Sequence, residues 1–169
     1  MNACTGNDGY EIAKLLLEYG ADVSAKYKGN SEGKGKGYTA LLYAAGSGDE
    51  KLIKLLVDYG AEINYQAEDG VNALMLACTY ENISHVKFLL ENGADVNAVD
   101  MQGKNALAHT IDTYFTPDYS IIEYLLQNGA DTSIKTSKGK SMIALLNDNK
   151  KRISEDNYNR IYVLIKEYS

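Results

Sequence analysis

Apolar residues along this chain fall into short runs with helical spacing, and polar or glycine-rich turns separate the runs. Ile12, Leu15 and Leu16 show the i, i+3, i+4 spacing of one helix face, which predicts a helix over about residues 8–19. Most of the predicted helices span only about seven to eleven residues, too few to be stable in isolation. They must therefore pack against one another. Four helix pairs are predicted to follow, at about 40–45 and 50–59, 73–80 and 83–92, 106–114 and 120–128, and 142–148 and 155–168.

One stretch, GADVNAVDMQGKNAL from Gly93 to Leu107, recurs along the chain in two recognisable parts. Its first part, Gly-Ala followed by an acidic residue, also begins at Gly20, Gly60 and Gly129. The glycine that opens its second part recurs at intervals of 33, 33 and 36 residues. Such a period indicates a repeat array, in which each unit buries its apolar face against its neighbours. The predicted units of this single domain are approximately 1–26, 27–64, 65–97, 98–133 and 134–169.

A strong N-capping residue precedes the first helix in each of four units. Thr39, Asn72, Asn105 and Ser141 occupy the same slot of the repeat, and the side chains of these residue types accept hydrogen bonds from the first free N–H groups of a helix. This regularity supports the helix boundaries independently of the apolar spacing. Each unit is predicted to be a helix, a turn and a second helix, followed by a hairpin-like finger.

Three segments resemble the ankyrin-repeat family: GYTALLYAA at 37–45, GVNALMLAC at 70–78 and VKFLLENGADVN at 86–97. The resemblance implies an all-α solenoid of stacked helix-turn-helix units with hairpin-like loops. The family's Thr-Pro-Leu-His sequence is replaced here by TALL, NALM, NALA and SMIA. In the family that histidine makes hydrogen bonds between neighbouring turns. We therefore expect the cohesion of this chain to depend more on apolar packing.

The segment KYKGNSEGKGKG at 26–37 adds seven residues to the regular period. Its glycine and lysine content predicts a mobile, solvated finger. Gly33-Lys34 superficially imitates a phosphate-binding loop. However, no Ser or Thr follows Lys34 and no buried strand precedes the segment, so nucleotide binding is not predicted.

The composition limits the possible classes of function. The chain has 169 residues and a net charge of −6, which argues against binding to nucleic acid or to an anionic membrane surface. No apolar run reaches the roughly 20 residues that span a bilayer, and the N-terminus lacks the features of a signal peptide. We expect a cytoplasmic monomer. The first unit has no room for an inner helix, which suggests a piece of a longer protein.

The sequence gives no sign of a catalytic or metal site. Cys4 and Cys78 lie in different units without a neighbouring cysteine, so neither a disulfide framework nor a zinc site is expected. His85 and His109 lie on different helices with no second ligand nearby in sequence, and both are interpreted as structural. Catalytic residues, metals and cofactors are therefore all predicted to be absent.

The resemblance implies binding of a protein partner through one concave face, formed by the fingertips and the ends of the inner helices. Tyr38, Tyr80 and Met101 are the apolar candidates for anchoring a partner on that face. The flanking charges pass from acidic in the third unit to basic in the fourth and fifth, which would orient a partner. The predicted contact residues are Lys36, Tyr38, Glu68, Asp69, Val71, Thr79, Tyr80, Met101, Gln102, Lys104, Asp112, Thr113, Lys138 and Lys140.

Two other classes of function stay open at this point. The chain could be a structural spacer within a larger multidomain protein, in which case its finger residues would only be solvated. An enzyme is the third class, and no arrangement of residues in the sequence favours it.

Overall fold

Helices dominate a computed structural model of the chain, which describes residues 9–30, 35–47, 49–113 and 115–169. Within these ranges there is no β-strand, and the helices form two layers, as the predicted all-α solenoid requires. None of the described helices has the length and apolar composition to cross a membrane. The helices are α1 (Gly9–Glu18), α2 (Ala40–Ser47), α3 (Glu50–Asp58), α4 (Ala73–Thr79), α5 (Ile83–Glu91), α6 (Ala106–Ile111), α7 (Tyr119–Gln127), α8 (Met142–Asp148) and α9 (Glu155–Glu167).

Three of the predicted N-caps are confirmed by their hydrogen bonds. The side chains of Asn72, Asn105 and Ser141 each accept a hydrogen bond from the backbone N–H three residues later, at 2.9, 3.0 and 3.3 Å. Because a capped first turn leaves fewer free N–H groups, these residues fix where α4, α6 and α8 begin. The prediction for α6 was wrong at its other end. The helix stops at Ile111 rather than continuing to 114, because the hydroxyl of Thr113 instead donates to the Thr79 carbonyl of the preceding unit.

The core lies between successive helix pairs. Inner helices α2, α4, α6 and α8 pack in sequence against one another, and outer helices α3, α5, α7 and α9 do the same. Most of the predicted leucine and isoleucine faces of α2 to α9 are buried, as the stacked helical solenoid requires. Fully buried side chains contribute roughly 1.5–3 kcal/mol each to folding when transferred from water. They include Leu41, Leu42, Leu52, Ile53, Leu89, Leu107, Ile121, Ile122 and Leu146.

Helix α1 buries less of its apolar surface than its sequence pattern suggests. It packs against α3 and buries Ala13, whereas Ile12, Leu15 and Leu16 are 45%, 55% and 49% exposed. Residues 1–8, including Cys4, lie outside the described ranges. The predicted helix α1 is therefore present, but its predicted apolar stripe is not buried in the described core.

All four described fingers close with the same backbone hydrogen bond. In the third unit the Ala67 N–H donates to the Val71 carbonyl at 2.9 Å, and the fourth and fifth units repeat this four-residue spacing. In the second unit Tyr27 donates to Tyr38 at 2.8 Å, eleven residues away, and Gly37 donates back to Tyr27 at 2.8 Å. The backbone bonds at the base of this finger are therefore those of the other fingers, at a larger sequence spacing. Residues 31–34, which include Gly33-Lys34, lie outside the described ranges.

Asparagine side chains supply polar links between units, in addition to the apolar packing on which the sequence led us to expect cohesion to depend more. The Asn64 amide donates to the Gly93 carbonyl at 2.9 Å and accepts from the Asp95 N–H at 2.8 Å. Asn97 makes the same pair of bonds to Gly129 and Asp131 of the next unit. Each asparagine thereby satisfies two backbone groups after the neighbouring outer helix and sets the spacing between units.

Glu81 is a strained position between α4 and α5. Its φ angle is +56°, in the left-handed region that favours glycine. One carboxylate oxygen is buried without a hydrogen-bond partner. Burial, followed by the nearby charge of Asp118, raises the pKa of this carboxyl. Both the backbone and the side chain of Glu81 therefore oppose folding.

We expect Leu89→Ala to lower the free energy of unfolding by about 2–5 kcal/mol, because Leu89 is fully buried in α5 and alanine would leave a cavity. Leu15→Ala in the half-exposed stripe of α1 is the matched control, expected to cost less than about 1 kcal/mol. Urea denaturation followed by far-UV circular dichroism measures both. Equal losses for the two variants would contradict this account of the core.

We expect Glu81→Gly to stabilise the protein by about 0.5–1.5 kcal/mol. Glycine relieves the left-handed backbone cost of roughly 1–2 kcal/mol and removes the buried carboxylate oxygen, while the greater freedom of the unfolded chain offsets part of the gain. Glu81→Ala removes the carboxylate but keeps the backbone strain, so it separates the two effects. A decrease in the urea midpoint for the glycine variant would show that the left-handed backbone of Glu81 does not destabilise the protein.

Candidate binding surface

The fingertips lie side by side and are joined by backbone hydrogen bonds. The Met101 N–H donates to the Asp69 carbonyl at 3.0 Å, and the Ser137 N–H donates to the Gln102 carbonyl at 2.6 Å. Gly70 permits this close approach. Its φ is +79°, and a Cβ placed there would lie 2.8 Å from the Asp100 Cα of the next finger. The tips consequently form one continuous edge rather than independent loops.

In two units the finger also reaches the end of its own inner helix. In the fourth unit the Lys104 ammonium lies 2.7 Å from the Asp112 carboxylate, which follows α6. In the fifth unit Lys140 pairs in the same way with Asp148 at the end of α8. The fingertips and the inner-helix ends therefore share one side of the stack, which we call the finger face.

The structure places the predicted contact residues on the finger face with different exposure. Met101 and Tyr80 are the most available apolar side chains, at 75% and 56% exposure. Thr113 must be removed from the set, because it is 1% exposed and its hydroxyl is bonded to Thr79. Exposed members are Lys36, Glu68, Asp69, Gln102, Asp112, Lys138 and Lys140, and half-buried members are Tyr38, Val71, Thr79 and Lys104.

Ion pairs cancel most of the predicted change of charge along this face. Besides the two lysine–aspartate pairs, Lys36 lies 3.1 Å from Glu68 of the next finger. Burial is the largest single influence on the pKa of Asp112 and would raise it, but the hydrogen bonds from Lys104 and Asn149 and the charges of Lys104 and Lys140 together lower it. The finger face therefore does not present a simple gradient from acidic to basic charge.

Four tyrosines gather at one end of the finger face, in a group that we call the tyrosine cluster: Tyr27, Tyr38, Tyr43 and Tyr80. The rings of Tyr38 and Tyr43 meet edge to face with centroids 5.6 Å apart, and Tyr27 contacts Tyr43 at 6.1 Å. The Tyr80 ring lies over Gly46, where a Cβ would approach it to 3.0 Å. Sequence analysis missed Tyr27 and Tyr43, because only the tertiary structure brings the long finger beside α2.

Asp69 borders the tyrosine cluster. The Tyr38 hydroxyl donates to the Asp69 carboxylate at 3.3 Å, and the Val71 N–H donates to its other oxygen at 3.1 Å. Burial and then the charge of Asp69 raise the pKa of Tyr38, with Tyr80 and Tyr43 contributing. Tyr38 therefore stays a neutral hydrogen-bond donor.

Thr79, His109 and Asp100 form a hydroxyl–imidazole–carboxylate line that the sequence did not reveal. The Thr79 Oγ1 lies 3.2 Å from His109 Nδ1, and His109 Nε2 lies 3.0 Å from Asp100 Oδ2. However, the Thr79 hydroxyl donates its proton to the Met75 carbonyl at 2.9 Å, so it is not oriented as a nucleophile. These contacts instead connect Thr79 of the third unit, through His109, to Asp100 in the finger of the fourth unit.

Asp100 is the centre of that finger. Its Oδ1 accepts hydrogen bonds from the N–H groups of Gln102 and Lys104, at 2.8 and 2.9 Å, while its Oδ2 binds His109. The residue is only 6% exposed. Burial tends to raise the pKa of Asp100, but these bonds and the nearby imidazole more than compensate and lower it. Ionised Asp100 is therefore part of the folded state.

The side chains of Cys78 and His85, which could in principle react or bind metal, are buried in the core. Cys78 is buried in α4, and burial raises the pKa of its thiol to about 12 despite a hydrogen bond to Thr110. His85 is fully buried, and its Nδ1 donates to the Ala45 carbonyl at 3.0 Å. The described part of the chain contains no cluster of three or more His, Cys, Asp or Glu residues suited to a metal ion.

Comparison with known proteins places the chain among repeat proteins. A family model described as "Ankyrin repeats (3 copies)" matches residues 1–100 and 66–136. A protein of Arabidopsis thaliana, named "Putative E3 ubiquitin-protein ligase XBAT34", is 39% identical over 75 residues. That alignment covers 44% of this chain and 19% of the plant protein, so this chain matches about a fifth of the relative's length.

We expect Asp100→Asn to destabilise the protein by about 1–3 kcal/mol at pH 7, because it replaces a buried charged hydrogen-bond partner of His109. The folded pKa of Asp100 is lowered, so its contribution is fully present above the unfolded value of about 3.9 and is lost as pH falls through the folded value. The difference between the two proteins should therefore shrink below about pH 4.

Urea denaturation of both proteins at a series of pH values provides the measurement. Using the difference between them cancels the titration of other carboxylates, including Asp112 and Glu50, whose pKa values are also lowered. A difference that stays constant from neutral to strongly acidic pH would mean that the charge of Asp100 does not matter.

Proposed function

The chain belongs to the ankyrin-repeat family, and we propose that it is a non-enzymatic module that binds a protein partner through the finger face. Ankyrin repeats generally mediate protein–protein interactions. The observation that carries the proposal is the exposure of large apolar side chains on this face, where they take no part in capping or in the leucine core. Tyr43, Tyr80 and Met101 are 36%, 56% and 75% exposed.

Such residues are suited to anchor a partner. Tyrosine is among the residue types most enriched at energetic centres of interfaces, and methionine is enriched in interface cores. The three side chains lie on two successive inner helices and a fingertip, so a single partner segment could contact all of them. The packing of α2 against α4 fixes the backbones of Tyr43 and Tyr80, and the inter-finger hydrogen bond to Asp69 fixes that of Met101, which reduces the entropy lost on binding.

A protein partner is proposed rather than nucleic acid or a membrane, because the chain carries a net charge of −6 and three finger lysines, Lys36, Lys104 and Lys140, are paired with carboxylates. The chain is proposed to act as a monomer. The name "ligase" describes the plant relative and is not carried over to this chain. For this chain we propose binding rather than chemistry, since Cys78, His85 and His109 all serve structural bonds or the core.

The alternative is a structural spacer in a larger protein. The half-exposed apolar stripe of α1 favours it, because Ile12, Leu15 and Leu16 are suited to packing against further protein. A spacer needs no specific finger face, so the two functions differ in the effect of substitutions there.

We expect the triple variant Tyr43→Ala, Tyr80→Ala, Met101→Ala to lose partner binding without a large change in melting temperature. Tyr43 replaces Tyr38 among the anchors because Tyr38 is half-buried and closes the long finger. Each truncation should cost about 1–3 kcal/mol if it is central to the interface. Partners captured by the immobilised wild-type chain would be identified by quantitative mass spectrometry and then measured with purified protein by calorimetry.

The matched control is Lys54→Ala, Lys87→Ala, Glu123→Ala on the outer helices. Lys54 and Lys87 lie over the rings of Phe88 and Tyr124, on the layer opposite the inner helices. This control should bind like the wild type. Equal affinity of both triple variants for the partner would place its site elsewhere, and the absence of any partner would favour the spacer.

A further inference from the structure

We propose that the tyrosine cluster is the binding site for an arginine side chain of the protein partner, with Asp69 as its counter-charge. This inference rests on the proposed function and specifies the chemistry of the segment that the finger face recognises. The cluster joins three separate parts of the chain: the long finger with Tyr27 and Tyr38, α2 with Tyr43, and Tyr80 at the end of α4.

The cluster offers aromatic surface at the protein boundary. Tyr43 and Tyr80 are 36% and 56% exposed, and the edge-to-face contacts of Tyr43 with Tyr27 and Tyr38 restrict its orientation. The faces of aromatic rings carry partial negative charge and attract cations, most strongly where water is partly excluded. A cation from outside that reaches the exposed parts of Tyr43 and Tyr80 would meet such aromatic surface.

The electrostatics at the cluster favour a cation from outside the chain. Asp69 contributes a full negative charge, and its two bonds come from neutral donors, the Tyr38 hydroxyl and the Val71 N–H. Among the described residues no lysine, arginine or histidine forms a salt bridge with Asp69, whereas its neighbour Glu68 is paired with Lys36. A carboxylate has about four acceptor positions, so Asp69 retains capacity for further donors.

Elsewhere the chain covers several aromatic rings with its own cations. Lys26 lies 4.6 Å from the ring centroid of Tyr65, and Arg160 lies 4.2 Å from that of Tyr119. Three further lysine–aromatic contacts of this kind occur in the described ranges. In the same ranges no cation of the chain lies over a ring of the tyrosine cluster. The cluster therefore offers aromatic rings for a cation–π contact, and the protein makes contacts of this kind at several other rings.

Arginine fits the site better than lysine or an apolar residue. Its planar guanidinium stacks on tyrosine rings while its N–H groups donate to a carboxylate in the same plane, so one side chain can use both features of the site. The lysine ammonium is more strongly hydrated and cannot stack. An apolar side chain could contact the rings but would bury Asp69 without a partner, which is unfavourable.

The first experiment uses Nα-acetyl-arginine N-methylamide as the probe and the citrulline compound as its uncharged analogue. NMR titration of isotope-labelled full-length chain should show saturable shifts at the Tyr43 and Tyr80 rings and at the backbone of Asp69. We expect the citrulline compound to bind at least tenfold more weakly, and the lysine compound to bind more weakly than arginine.

Asp69→Asn is the decisive variant. The asparagine oxygen can still accept from Val71, and its amide can donate to the Tyr38 hydroxyl oxygen, so the variant removes the charge and one acceptor but keeps the shape of the side chain. We expect at least a tenfold loss of arginine binding. Asp95→Asn is the matched control, because Asp95 also accepts from the N–H two residues later and is exposed, but it lies after the outer helix α5. It should leave the titration unchanged.

Tyr43→Leu and Tyr80→Leu test the rings, because leucine retains apolar contact without the aromatic face. Each should weaken the arginine compound more than its citrulline analogue. Circular dichroism and the spectrum of the rest of the chain would show that the variants stay folded. Should either leucine variant unfold, the Asp69→Asn result and the citrulline comparison still decide the proposal.

Several results would overturn the inference. They are equal binding of the arginine and citrulline compounds, no effect of Asp69→Asn, tighter binding of the lysine compound, or no saturable shift up to about 50 mM, where millimolar binding would be nearly complete. Its failure is distinguishable from that of the proposed function. If the triple finger-face variant loses a purified partner that still binds Asp69→Asn normally, the finger face is the binding surface but does not recognise arginine.

Discussion

Burial of apolar side chains between successive helix pairs is the interaction on which the rest of this structure depends. The described helices are mostly six to ten residues long, so none of those would persist without its neighbours. Leu42, Leu74 and Leu107 of consecutive inner helices are all essentially inaccessible to water. Because each unit contacts only adjacent units, stability is a sum of local interfaces, and the position of every finger follows from the stacking of the helices beneath it.

Polar contacts then determine how the units are spaced. Asn64 and Asn97 each satisfy two backbone groups of the next unit, and Asp100 organises its finger while binding His109. Apolar packing is non-directional, whereas these bonds have defined lengths and angles. The combination keeps the fingertips close enough for Met101 to bond to the Asp69 carbonyl. A regular finger face is thus a consequence of a regular set of polar links.

Under the proposed function, the same architecture separates the residues that would bind a partner from those that stabilise the stack. Residues that cap or fill the stack, such as Asn72 and Leu89, are buried, while Tyr80 and Met101 project from it at positions with no role in the core. The base of the long second finger keeps the backbone bonds of the other fingers, and it brings Tyr27 and Tyr38 to Tyr43. The tyrosine cluster therefore depends on the regular part of that finger and on the inner helices beside it.

The sequence by itself determined the helical repeat, three confirmed caps and the leucine faces, because these follow from local spacing and side-chain chemistry. It also identified most finger residues, since they lie at fixed offsets from the recurring glycines. Tertiary structure decided the rest. The burial of Thr113, the pairing of Lys104 with Asp112 and the meeting of Tyr27 with Tyr43 join residues from different elements. A one-dimensional pattern specifies which face a residue occupies, but the stacking of units determines which other side chains it meets there.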